Sequence, residues 1–72
     1  MSEIIKINFI GVWTTGAMGL TSEEREEVEI KFNQLSNEVE DWFYRVDLKN
    51  GKTIFVADNG EFGFTAMLPE EY

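Results

Sequence analysis

The 72 residues carry fourteen Asp and Glu against six Lys and Arg, a net charge of -8, and contain neither cysteine nor histidine. One small domain, spanning 1–72, is expected, with a net stability of roughly 3–5 kcal/mol from a single core and no disulfide or zinc centre to add to it. The negative field repels nucleic acid and anionic membranes and favours basic surfaces, which argues against direct nucleic acid binding.

The chain opens on an alternating segment that predicts a strand over residues 4–13, with Ile5, Ile7, Phe9 and Trp13 on one face and Lys6 and Asn8 on the other. The acidic start, Met1-Ser2-Glu3, does not read as a signal peptide, and no run approaches the roughly 20 apolar residues of a membrane span, so a cytoplasmic location is expected. Gly11 interrupts the alternation and predicts a bulge that turns the later side chains over. Residues 14–20 (Thr-Thr-Gly-Ala-Met-Gly-Leu) suit neither strand nor helix. They lack the Gly-Lys-Ser/Thr ending of a phosphate loop. They read as a connection with Met18 and Leu20 tucked under the following helix, the alternative being a partner-binding loop with Met18 as its adaptable contact.

A helix is predicted from Thr21 to about Val39. Thr21 and Glu24 have the spacing of a capping box, and Glu23, Glu24, Glu26 and Glu27 crowd the positive end of the helix dipole. Val28, Phe32, Leu35 and Val39 form one apolar stripe, with Ile30 pointing away from it. Glu27–Lys31 and Arg25–Glu29 are i,i+4 pairs. The acids Glu38, Glu40 and Asp41 oppose the dipole, which places the helix end at Glu40 or earlier.

From Trp42 to Leu68 the pattern is two hairpins built on Asn50-Gly51 and Asn59-Gly60. Asn-Gly favours the type I′ turn, in which both central residues take positive φ. Two-residue loops at both places pair Leu48 with Thr53, Val46 with Phe55 and Phe55 with Phe64. One sheet face then carries Trp42, Tyr44, Val46, Leu48, Phe55, Ala57, Phe62, Phe64, Ala66 and Leu68. The opposite face carries Arg45, Asp47, Lys49, Lys52, Asp58 and Glu61, with Phe43, Ile54, Val56 and Met67 among them. Pro69 to Tyr72 follows, so that 68–72 reads as a loose acidic tail. The expected fold is α+β, in the order β-α-β-β-β: a four-stranded, mostly antiparallel sheet with one helix on one face. Phe32 and Leu35 should meet Tyr44, Phe55 and Phe64, and the first strand could join either edge of the meander.

Chemistry finds little foothold. Without histidine or cysteine there is no proton shuttle near neutral pH and no thiol nucleophile. Asp58, Asn59 and Glu61 fall short of a calcium loop, and a turn explains them. No enzyme activity, cofactor or metal is expected. Two surfaces point to binding instead. The acidic helix, through Glu23, Glu24, Glu26, Glu27 and Glu29, would steer towards a partner with a basic surface. In size and charge the chain is similar to small acidic proteins, often phage-borne, that imitate nucleic acid and inhibit nucleic-acid-binding enzymes, although it shares no motif with them. The second surface is the uncovered sheet face, where Phe43, Arg45, Ile54, Val56 and Met67 would meet a partner. The expected function is therefore a regulator or inhibitor acting through protein–protein interaction; the alternative is a structural subunit that forms a homodimer through the sheet face.

Overall fold

In a computed structural model, which describes residues 9–60 and 63–72, the chain runs β1 (Ile10–Trp13), α1 (Thr15–Met18), α2 (Ser22–Glu38), β2 (Phe43–Asp47), β3 (Thr53–Asp58) and β4 (Phe64–Met67). A 3-10 turn, Pro69–Glu71, follows β4. The four strands form one mixed sheet in the order β1-β4-β3-β2, with β1 parallel to β4 and the other two pairings antiparallel. The first strand therefore joins the meander beside its last strand. The expected Ile5, Lys6, Ile7 and Asn8 positions, and those of Glu61 and Phe62, lie outside the described residues.

The helix begins where the capping box places it. Thr21 Oγ1 accepts from the Glu24 amide at 3.1 Å, and Glu24 Oε1 accepts from the Thr21 amide at 2.9 Å. Two of the four amides left open at a helix N-terminus are thus bonded. At the other end the chain turns extended at Val39, where the Tyr44 hydroxyl donates to the Val39 carbonyl and accepts from the Asp41 amide at 2.8 Å. Val28 and Phe32 are buried and Leu35 packs against the core, but Val39 leaves the stripe and is exposed. Phe32 lies edge-on to Tyr44 at 5.5 Å and against Phe64 at 4.8 Å.

The bulge at Gly11 forms. Ile10 pairs with Phe64 while Val12 pairs with Thr65, so two steps on β1 match one on β4. Ile10 and Trp13, three residues apart, consequently both pack against the core. Short though it is, α1 has its own N-cap, Thr14 Oγ1 accepting from the Ala17 amide at 3.3 Å. Ala17 and Leu20 are buried, whereas Met18, expected under the helix, is exposed.

Both hairpin loops differ from the expected type I′ turns, since among the described residues positive φ occurs only at Gly51, Gly60 and Gly63. In the first, the Gly51 amide donates to the Leu48 carbonyl and the Leu48 amide to the Lys52 carbonyl. Gly51 at φ 92 completes a three-residue loop with a glycine bulge. In the second, Asp58 pairs with Phe64, and the Asn59 amide donates to the Gly63 carbonyl at 2.8 Å. Asn59, expected at positive φ as a central residue of the turn, does not have it.

The register follows. Tyr44 pairs with Val56 and Val46 with Ile54, not with Ala57 and Phe55. Ile54 and Val56, expected on the open face, are therefore 0% exposed in the core. Phe55 and Ala57 move to the open face in their place. Trp42, expected to face the helix, is exposed.

Candidate functional site

The face of the sheet away from α2 is built in cross-strand rows. One runs Val12, Thr65, Ala57, Phe43, and the next Met67, Phe55, Arg45. The third is polar: Asp47 pairs with Thr53, and its Oδ1 accepts from the Thr53 hydroxyl at 2.9 Å and from Arg45 Nε at 3.2 Å. These bonds hold the Asp47 carboxyl below the usual range, the Thr53 hydroxyl contributing most. The face thus grades from apolar at the Phe43 end to a self-paired ionic end at Asp47.

Aromatic rings gather on the apolar part. Phe43 lies 5.1 Å from Phe55 and 5.5 Å from Trp42, centroid to centroid. Tyr72, from the segment beyond β4, closes the group at 5.3 Å from Phe43 and 5.7 Å from Phe55, with the second contact perpendicular. Trp42 is 60% exposed and Tyr72 69%, so two large rings stand in water beside two half-buried ones. One acidic group adjoins Trp42: Asp41 Oδ1 accepts from its amide at 2.7 Å, while its carbonyl accepts from the Asp58 backbone amide at 2.7 Å. Of the expected sheet-face residues, Phe43, Arg45 and Met67 are brought together here and Ile54 and Val56 are not. Phe55 and Tyr72 were missed, Phe55 through the register and Tyr72 through the tail.

That tail is anchored. The segment expected to be loose forms the 3-10 turn, and its Glu71 carboxylate accepts from the Thr14 hydroxyl at 2.6 Å, the Leu68 amide at 2.9 Å and the Gly16 amide at 3.1 Å. A Cβ on Gly16 would fall 2.6 Å from that carboxylate. The Thr14 hydroxyl, chiefly, and the two amides lower the Glu71 pKa.

The acidic helix divides into two sets. Glu24 and Glu27 turn towards the β2–β3 loop. Glu24 Oε2 meets Lys52 Nζ at 2.8 Å and accepts from Asn50 Nδ2 at 2.7 Å, and Glu27 Oε2 meets Lys31 Nζ at 2.9 Å and accepts from the Lys49 amide at 2.8 Å. They lock the helix start onto the loop and have no free charge to offer a partner. Glu23, Glu26 and Glu29 are exposed and remain available, as does Met18. The hydrogen bond from Lys52, above all, with those from Thr21 and Asn50, lowers the Glu24 carboxyl from 4.5 to about 2; Lys31 likewise lowers Glu27. A depressed carboxylate stabilises the fold above its unfolded-state pKa and loses that contribution as pH falls through the folded value. The stability supplied by Glu24 should therefore fade between about pH 4.5 and about pH 2. Urea midpoints measured across that range should fall more steeply for the native chain than for Glu24→Gln; parallel curves would refute the assignment.

Among the described residues, no group of three or more acidic side chains is placed to hold a metal ion, and no helix is long and apolar enough to cross a membrane. No protein-family model, curated protein or solved structure matches the chain.

Proposed function

We propose that this chain is a non-enzymatic, cytoplasmic protein-binding domain that regulates or inhibits a partner with a basic surface, docking through the open face of its sheet. The observation that carries this reading is the aromatic group Trp42, Phe43 and Phe55 on the sheet face away from α2, which among the described elements only the segment ending in Tyr72 partly overlies. Aromatic anchors supply most of the energy at protein interfaces. The charge supports a basic occupant: the Asp41 carboxylate adjoins Trp42, Glu23, Glu26 and Glu29 add to the field, and the whole chain carries -8. A second copy would set that charge against itself, which weighs against the homodimer.

Affinity capture from a lysate, followed by titration of the purified partner, tests the reading. Phe43→Ala and Trp42→Ala should each weaken binding by about 30-fold or more, the size of an interface anchor, with the circular dichroism of the free domain unchanged. Reversing Glu23, Glu26 and Glu29 to lysine should slow association and flatten its salt dependence while sparing the fold. Displacement of the partner by DNA would identify it as a nucleic-acid-binding protein and support mimicry. Light scattering that shows a dimer, returned to monomer by Phe43→Ala, would replace this reading with the assembly alternative.

A further inference from the structure

The aromatic face is partly occupied by the chain itself, through a segment anchored among the described residues by the Glu71 carboxylate. Its three donors there (the Thr14 hydroxyl and the Gly16 and Leu68 amides) are all neutral, and no cation bonds Glu71 among the described residues. All three bonds lie at the surface. The rest of the segment is a single 3-10 turn closed by Glu71 N–H to the Leu68 carbonyl at 2.9 Å and Tyr72 N–H to the Pro69 carbonyl at 3.2 Å. Such turns bond with poorer geometry than an α-helix. Tyr72 rests on Phe43 and Phe55 with most of its own surface still in water.

We propose that Pro69–Tyr72 is a strap that keeps Tyr72 over Phe43 and Phe55, and that a basic partner opens it by taking the Glu71 carboxylate. The chemistry favours that exchange. A guanidinium or ammonium brings a full positive charge that the three neutral donors lack, and a guanidinium meets a carboxylate with two parallel bonds. Once Glu71 leaves Thr14 and Gly16, the turn loses its tie to α1, and Phe43 and Phe55 become reachable as docking anchors. The identity of the trigger rests on the docking reading above, whereas the strap is a property of the free chain.

Two measurements on the full chain separate these parts. Glu71→Ala should raise the emission of Nile red, a neutral dye that reports exposed apolar surface, several-fold. It should also speed amide exchange at Gly16 and Leu68, with far-ultraviolet circular dichroism unchanged. Tyr72→Phe, which keeps the ring, should leave the dye signal at the native level. Native-like emission and exchange in Glu71→Ala would overturn the strap. In the second measurement, tetra-arginine is titrated into the native chain and followed through the amide signals of Gly16 and Leu68 and the Tyr72 ring. Those signals should move in the native chain and stay fixed in Glu71→Gln, which lacks the charge. If they stay fixed in both, cationic release is wrong. Failure of the docking reading itself would show only in the partner experiments and would leave the Glu71→Ala results intact.

Discussion

Ile54→Ala is expected to lower stability by about 2–5 kcal/mol, the usual cost of emptying a buried isoleucine site. A domain of this size has roughly 3–5 kcal/mol in total, so the variant should be largely unfolded at 37 °C. One position further along β3, Phe55→Ala removes a larger side chain yet should cost only about 1 kcal/mol, the scale of its ring contacts with Phe43 and Tyr72. Urea denaturation of the two variants checks this directly. The order of the two effects depends on register alone: Ile54 is fully enclosed beneath α2, and Phe55 faces the open side. Were β3 turned over, Phe55→Ala would be the severe change. The same pair divides stability from binding, because Phe55→Ala should weaken the proposed docking while leaving the fold in place.

Gly63→Ala is the second large effect. Gly63 has φ 77, and a Cβ there would lie 2.8 Å from the backbone carbonyl oxygen of Phe9. That carbonyl accepts from the Phe64 amide at 2.9 Å, at the start of the β1–β4 pairing. The substitution therefore combines a left-handed backbone cost of about 1–2 kcal/mol with a clash against main chain that cannot rotate away. A total of at least about 2 kcal/mol is expected, together with faster amide exchange at Phe64 and Thr14, whose bonds join β1 to β4. Gly51→Ala supplies the comparison. Gly51 has φ 92 but nothing within 4 Å of a new Cβ, so only the backbone term of about 1–2 kcal/mol applies. Equal losses at both sites would show that the Phe9 contact contributes nothing.

These contrasts also mark how far the residues could be read without coordinates. The helix was legible because its signals are local. Thr21 and Glu24 are three residues apart and satisfy each other's backbone groups, and Val28, Phe32 and Leu35 recur at helical spacing. The bulge at Gly11 was legible for the same reason. Strand β3 was not. Its run Ile54-Phe55-Val56-Ala57 is apolar at every position, so alternation says nothing about which side faces the core. The decision fell to the loops, and both loops are longer than two residues. The three-residue first loop turned β3 over, and the second loop, of the same length, turned β4 back. Phe64, Ala66 and Met67 thus face as expected, while Ile54 and Phe55 exchange sides.

The candidate site shows the same division. Phe43, Arg45 and Met67 could be placed on the open face because β2 and β4 kept their expected orientation. Nothing near Tyr72 in the chain announces that it will lie against Phe43 and Phe55, since its anchor, Glu71, reaches Thr14 and Gly16 at the far end of the sequence. Nor does charge density on a helix reveal which acids are spent: Glu24 and Glu27 are taken by the β2–β3 loop, more than 20 residues away, and Glu23, Glu26 and Glu29 are not.

The amino-acid sequence by itself determined the charge, the absence of histidine and cysteine, the helix with its cap, and the α+β class, because each depends on composition or on residues within a turn of one another. Tertiary structure decided the side on which β3 is buried, the parallel placement of β1 beside β4, and the assembly of an aromatic face from Trp42, Phe43, Phe55 and Tyr72. Those outcomes depend on loop geometry and on contacts between distant segments, where a single added residue reverses a strand and one carboxylate positions a tail.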